Sequence, residues 1–295
     1  MKNKINRLET LRGFAALAVA LFHYPSTSFL FIKGGHFGVY FFFALSGFVI
    51  CLNYFEKLIN FKNLVKFQYK RFFRLYPIHI FVLFVVLSIQ ILKLITINFY
   101  NLPAGNEAFS PHEWYTLKDF LRHLILTQSI FNDGYALSWN SAAWTISTEF
   151  YTYLVFGIIC LLVRNNKLIF ILISLMFIFF FEKISSFLQI YFNHLFLNCL
   201  NTFFLGCIFY FIYEKIKYRL NDITFIILLI ISVFIFINLQ SYLNLEYNIL
   251  FCIIILLVSI LKEETKINKL LNFSPLVYFG TISYSFYMIH QSVLY

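Results

Sequence analysis

Charge is what this chain has least of. Only 12% of its 295 residues are Asp, Glu, Lys or Arg, where a soluble domain carries about 25%. It cannot cover itself with polar surface, which excludes an ordinary water-soluble domain and makes lipid its solvent. No break in composition marks off a second domain, so residues 1–295 read as one. Cysteine is equally uninformative as chemistry. Five are present (Cys51, Cys160, Cys199, Cys207 and Cys252), an odd number without a CxxC, each within or beside an apolar run. They read as small core hydrophobes, not as a disulfide frame or metal site. Also missing are a phosphate-binding Walker A loop, GxGxxG, HExxH and a Ser-centred elbow. Nothing indicates a bound metal or a tightly held cofactor.

What is present is apolar length. Hydrophobic residues make up 61% and aromatics 22%, with a mean hydropathy of +0.78. A spanning helix needs about 20 apolar residues. Candidates run over roughly 8–30, 37–55, 77–97, 142–163, 168–183, 195–213, 222–239, 248–261 and 275–295. The expected fold is an all-α, polytopic transmembrane helix bundle of about nine spans. The stretch 119–131 is too short to cross and reads as an interfacial or re-entrant helix. The basic N-terminus resembles a signal peptide, but Glu9 and Arg12 interrupt it and no small-x-small cleavage site follows, so it reads as a retained first helix.

The net charge of +10 is not a nucleic-acid patch, because the cations fall in short clusters between apolar runs. With the N-terminus inside, eighteen of the 23 Lys and Arg residues lie on the inner side. Counting 119–131 as a crossing destroys that bias, so the positive-inside rule sets the orientation and the count.

Ionisable groups within spans are costly and are functional candidates by default. Arg12 and His23 are eleven residues apart, about 20° past three full turns and about 16 Å in rise, so they share one face. Arg12 falls at the inner boundary and His23 in the outer half; their bland readings are a snorkelling anchor and a helix-packing donor. Glu149 falls at a depth close to that of His23, where a carboxylate can orient an imidazole or pair with an arginine. Arg71 and Arg74 stand at i, i+3 on the inner boundary, suited to head groups or to a phosphorylated ligand. Ser283, Tyr287 and His290 form a polar stripe on the last helix. The small residues around Ser46 and Gly47 read as packing.

At these residues the sequence resembles the acyltransferase 3 family of bacterial membrane O-acyltransferases. The resemblance rests on Arg12 and His23 of the first helix, Phe37 to Phe48 of the second, and Arg71-Phe-Phe-Arg74-Leu-Tyr-Pro77. It rests further on Trp144-Thr-Ile-Ser147-Thr-Glu149 and on Phe279-Gly-Thr-Ile-Ser-Tyr-Ser-Phe-Tyr287-Met-Ile-His290. It implies transfer of an acyl group, usually acetyl from cytoplasmic acetyl-CoA, to a hydroxyl of an extracytoplasmic carbohydrate or lipid-linked glycan. The location implied is the bacterial inner membrane, with the N-terminus cytoplasmic. By carry-over, His23 is the catalytic histidine, Arg12 its partner and Glu149 a supporting carboxylate. Arg71 and Arg74 hold the acyl-CoA donor, and Trp144, Ser147, Tyr287 and His290 line the site or the acceptor. Tyr40 stands where the family often has an acidic residue, and Thr145 where it has serine. Members have about ten spans and end inside, so the resemblance implies a chain cut short before a return helix. The rival readings are a glycan transporter or flippase, for which no internal repeat is found, and a scaffold whose polar groups only tie helices together.

Overall fold

A computed structural model describes residues 5–24, 37–100, 108–109, 114–132, 136–179, 187–238 and 245–294, with side chains of 235–238, 245–247 and 292–294 left aside. Its long helices follow the apolar runs. They are α1 (Asn6–Phe22), α2 (Phe37–Tyr54), α3 (Phe61–Tyr100), α5 (Trp144–Val163), α6 (Lys167–Phe179), α7 (His194–Lys215), α8 (Asp222–Asn238), α9 (Leu245–Ser259) and α11 (Ser274–Leu294). Two short helices, α4 (Leu117–Leu124) and α10 (Lys266–Leu271), lie in the connections. Among the described residues there is no strand, only two isolated bridges.

Four helical stretches are long and apolar enough to cross a membrane: Phe37–Lys57, Phe61–Tyr100, Ser141–Val163 and His194–Lys215. Parts of α6, α8 and α9 are apolar but shorter. The outer ends expected for several spans, at 25–30, 180–183 and 239, lie outside the described residues. Nine crossings therefore stay an expectation, while among the described residues the structure shows a helical bundle with four helices long and apolar enough to cross a membrane. α1 and α11 fall in neither group because they carry the polar residues that make the site.

The helix that holds the expected third span begins earlier than that span. α3 is one helix of 40 residues that runs through Pro77. Its N-terminal part is held by packing: Leu64, Phe67 and Leu75 are buried at helical spacing, and Arg71, four residues from Phe67 and from Leu75, shares that face. Large apolar side chains on the remainder, such as Phe84, Leu92 and Ile95, are exposed, as a lipid-facing surface requires.

α7 sits at the centre, packed on α2, α6, α5 and α9, while α1 packs on α11 and α2, and α3 on α5 and α11. Two crossings bring backbones together. A Cβ on Gly47 of α2 meets the Phe203 carbonyl, and one on Gly206 of α7 meets the Ala44 carbonyl. A Cβ on Gly280 of α11 likewise meets the Glu9 carbonyl of α1. In a membrane, where no hydrophobic force drives helices together, such close approach supplies the dispersion contacts that hold them. All five cysteines are free and buried.

The segment read as interfacial is α4 and the turn after it. Thr116 caps the helix by accepting from the Asp119 N–H at 3.0 Å, and Arg122 pairs with Asp119 at 2.9 Å. Tyr76 donates to the Leu124 carbonyl at 3.0 Å, and Ser147 to that of Leu126 at 2.6 Å. The His123 ring stacks on His79 at 5.6 Å. Burial first, and the His79 imidazole second, push His123 down to about 3.

Two outcomes follow. Gly47→Leu drives a side chain into backbone; the α2–α7 contact is lost and the purified protein unfolds at lower temperature in detergent, by at least the 1–3 kcal/mol typical of overpacking. His123 is held neutral in the fold, so the unfolded chain binds its proton first and stability falls as pH drops from about 6.5 toward 3. Between pH 6.5 and 4.5 this one group removes about 2 kcal/mol. Thermal unfolding across that range shows a drop that His123→Gln reduces.

Candidate active site

Five helices converge on a cavity of about 70 Å³. α1 supplies Arg12, α3 supplies Arg71 and Arg74, and α5 supplies Glu149. α2 adds Ser46, and α11 adds Ser283, Tyr284 and Tyr287. The three guanidiniums expected at the inner boundary thus face one space, and Glu149 faces it with them. Of the two arginines of α3, Arg71 is half-buried and Arg74 exposed at the rim, and both line the cavity.

Three of the four charges have a holder among the neighbouring side chains, while Arg74 is exposed at the rim. Arg12 pairs with Glu9 one turn earlier at 2.6 Å and interacts electrostatically with Arg74 and Glu149. Arg71 donates to the Tyr54 hydroxyl at 2.9 Å and lies over three rings, Tyr54, Phe67 and Tyr153, at 5.1, 5.7 and 5.9 Å. Glu149 accepts short hydrogen bonds from the Ser46 and Tyr153 hydroxyls, which are themselves 2.6 Å apart. Tyr153 was readable from its i+4 spacing to Glu149. Ser46, 103 residues away in sequence, carried only the signal of a small residue at a helix contact. Tyr284, which donates to the Leu75 carbonyl at 2.6 Å, ties α11 to α3. Thr145, in place of the family's serine, keeps a hydroxyl on the wall and bonds to Tyr287.

His23 lies elsewhere. It caps the C-terminal end of α1, eleven residues beyond Arg12, and does not line this cavity. Its partner is not Glu149 but His290: the rings are 5.1 Å apart, with His290 Nε2 3.4 Å from His23 Nδ1. One proton arrangement satisfies every contact. His290 Nδ1–H donates to the Tyr287 carbonyl, and His290 Nε2 accepts from His23 Nδ1–H. That N–H also donates to Val19 O at 2.9 Å. The lone pair of His23 then resides on Nε2. Tyr287 links the two regions, since it lines the cavity while its ring packs on His290 at 5.3 Å. The pairing of α1 with α11 was not visible in sequence because 267 residues separate the two histidines.

Trp144 packs edge-on against Phe43 at 5.8 Å, at the start of α5. Ser147 turns away from the cavity: fully buried, it binds Leu126 O and receives the Ser129 N–H at 3.3 Å. Tyr40, at the position where a carboxylate was absent, bonds to Asn198 of α7.

A bundle of apolar helices enclosing arginines, a carboxylate and a histidine pair defines a membrane-embedded site for polar chemistry. The model of the acyltransferase domain, of the acyltransferase 3 type, matches residues 5–295, almost the whole chain. The chain belongs to that family of membrane acyltransferases. No curated protein and no solved structure matches it.

Removing the carboxylate from among three guanidiniums leaves charge uncompensated in an apolar bundle. Glu149→Ala therefore destabilises the detergent-solubilised protein by about 3–5 kcal/mol. Tyr153→Phe, which deletes one hydrogen bond to that carboxylate, costs about 1–3 kcal/mol. Thermal unfolding ranks the two; equal effects would refute the electrostatic account.

Proposed function

We propose that this protein moves an acyl group, acetyl above all, from cytoplasmic acyl-CoA to a hydroxyl of an extracytoplasmic carbohydrate or lipid-linked glycan. The observation that carries the reading is the succession of groups from Arg71 and Arg74, through Glu149 and Tyr287, to the His290–His23 pair. The cationic rim suits donor phosphates, because guanidinium forks bind them with charge-assisted hydrogen bonds. The pantetheine arm then runs along α1 and α11, whose rise from Arg12 to His23 is about 16 Å.

His23 Nε2 is the reacting nitrogen. As a general base it takes the proton of the sugar hydroxyl while that oxygen attacks the thioester carbonyl, and the imidazolium returns the proton to the departing CoA thiolate. As an acyl carrier it attacks the thioester itself and expels CoA thiolate, which takes the proton shed by the acyl-imidazolium; the acyl-imidazole then passes the acyl group to the hydroxyl, whose proton returns to the imidazole. Either route needs Nε2 unprotonated, and the acceptance of His23 Nδ1–H by His290 favours that tautomer. His290 is thus a positioning residue. Glu149 balances the guanidiniums, a different duty from holding the imidazole.

The test uses purified protein with radiolabelled acetyl-CoA and glycan from the bacterial surface. His23→Ala loses at least 100-fold in transfer, within the range for a general base, with normal membrane expression. His290→Ala retains transfer at a rate lowered about tenfold, with a shifted pH–rate midpoint. Intact transfer in His23→Ala sinks the proposal. Glycan movement without acyl transfer would favour a flippase instead.

A further inference from the structure

A second cavity, of about 230 Å³, lies toward the other end of α3. Gln90 and Lys93 on its wall are each nineteen residues beyond Arg71 and Arg74, about 29 Å along the helix. It has more than three times the space of the guanidinium cavity and a different character. Trp114, Tyr115 and Trp139 supply aromatic surface, and Asn140 and Gln291 supply amides.

We infer that this cavity binds a pyranose, and that it seats the acceptor sugar of the reaction proposed above, on which that second clause rests. Aromatic faces with a few fixed amides are how a site takes a ring that is apolar on its C–H faces and polar at its rim. Asn140 is 3% exposed. Its Nδ2 donates to the Met288 carbonyl at 3.3 Å, while its Oδ1 is buried without a hydrogen-bond partner. A buried acceptor left open costs free energy unless a ligand donor meets it, and a sugar hydroxyl is such a donor. Trp139 is held at a left-handed φ of 53°, a conformation costly for a bulky residue. Its indole N–H donates to Thr116 O at 3.1 Å, which fixes the ring. Gln90 Oε1 accepts from the Phe109 N–H at 2.8 Å, so its amide is oriented too. The cavity also adjoins the reacting groups: Gln291 follows His290 in sequence, and Asn140 grips α11 at Met288. Those two links tie the cavity wall to the stretch of α11 that carries His290.

Two of the chain's three tryptophans line the cavity, so intrinsic fluorescence reads occupancy without any reaction. Purified full-length protein in detergent is titrated with methyl glucopyranoside, methyl galactopyranoside and methyl N-acetylglucosaminide. The expected result is a saturable emission change with at least one of them, weakened fivefold or more in Asn140→Ala and in Gln291→Ala. Gln291 is only partly buried, so its variant keeps the test valid if Asn140→Ala fails to fold. No saturable change with any of the three, or a change indifferent to both variants, overturns the inference. Labelled transfer run alongside separates the two proposals. Saturable binding without acyl transfer defeats the transferase reading and leaves the sugar site. Transfer to glycan with unaltered acceptor KM in both variants defeats the site and leaves the transferase.

Discussion

Three guanidiniums and one carboxylate facing a single small space inside an apolar bundle set the terms for the rest of this molecule. Each buried charge costs several kcal/mol unless it is paired and hydrogen-bonded. The bundle meets that demand with local partners: Glu9 one turn from Arg12, the Tyr54 hydroxyl and three rings around Arg71, and two hydroxyls on Glu149. These partners come from α1, α2, α3 and α5. The helices therefore cannot slide past one another without exposing charge to hydrocarbon, and the glycine contacts of α2 with α7 and of α1 with α11 hold the same register.

Helix positions were legible because apolar runs of spanning length leave little alternative in lipid. The expected runs at 37–55, 142–163, 195–213 and 275–295 overlie α2, α5, α7 and α11. Where the reading fell short, a physical reason is at hand. The expected third run begins at Pro77, yet α3 passes through that proline, its earlier part held by the buried Leu64, Phe67 and Leu75, although proline usually ends a helix. Arg122 and His123 looked out of place in an apolar stretch, since their partners Asp119, Ser138 and His79 lie across a turn or on another helix.

Position along a helix was legible; the level that Glu149 shares with other groups, and its pairing, were not. Rise per residue gives how far a side chain sits along its helix, and on that ground Glu149 and His23 stood at similar levels. Which helices touch depends on interhelical packing, of which one sequence has little record. The structure groups Glu149 with the arginines and gives His23 to His290. The carboxylate is then an electrostatic partner of the cationic end, and the imidazole is oriented by a neutral ring. A neutral partner suits a nitrogen that must alternate between free base and imidazolium or acyl-imidazole, because it does not fix the charged form as a carboxylate does.

α11 gains weight from this arrangement. It presents Tyr284 and Tyr287 to the cationic cavity, His290 to His23, and Gln291 to the aromatic cavity. Spacings of three, three and one residues place these groups within about two turns, roughly 10 Å of rise. Alongside it α1 runs from Glu9, its contact with Gly280, to His23, about 21 Å of rise. A donor entering past the arginines and an acceptor lodged between Trp114 and Asn140 therefore approach each other along a single pair of helices. The tight backbone contact of Gly280 with Glu9 fixes how that pair is phased. A rotation of α11 by one residue, 100°, would turn His290 from His23 and Tyr287 from the cavity at once. The close glycine packing far from His23 thus governs the geometry at which the two substrates would meet.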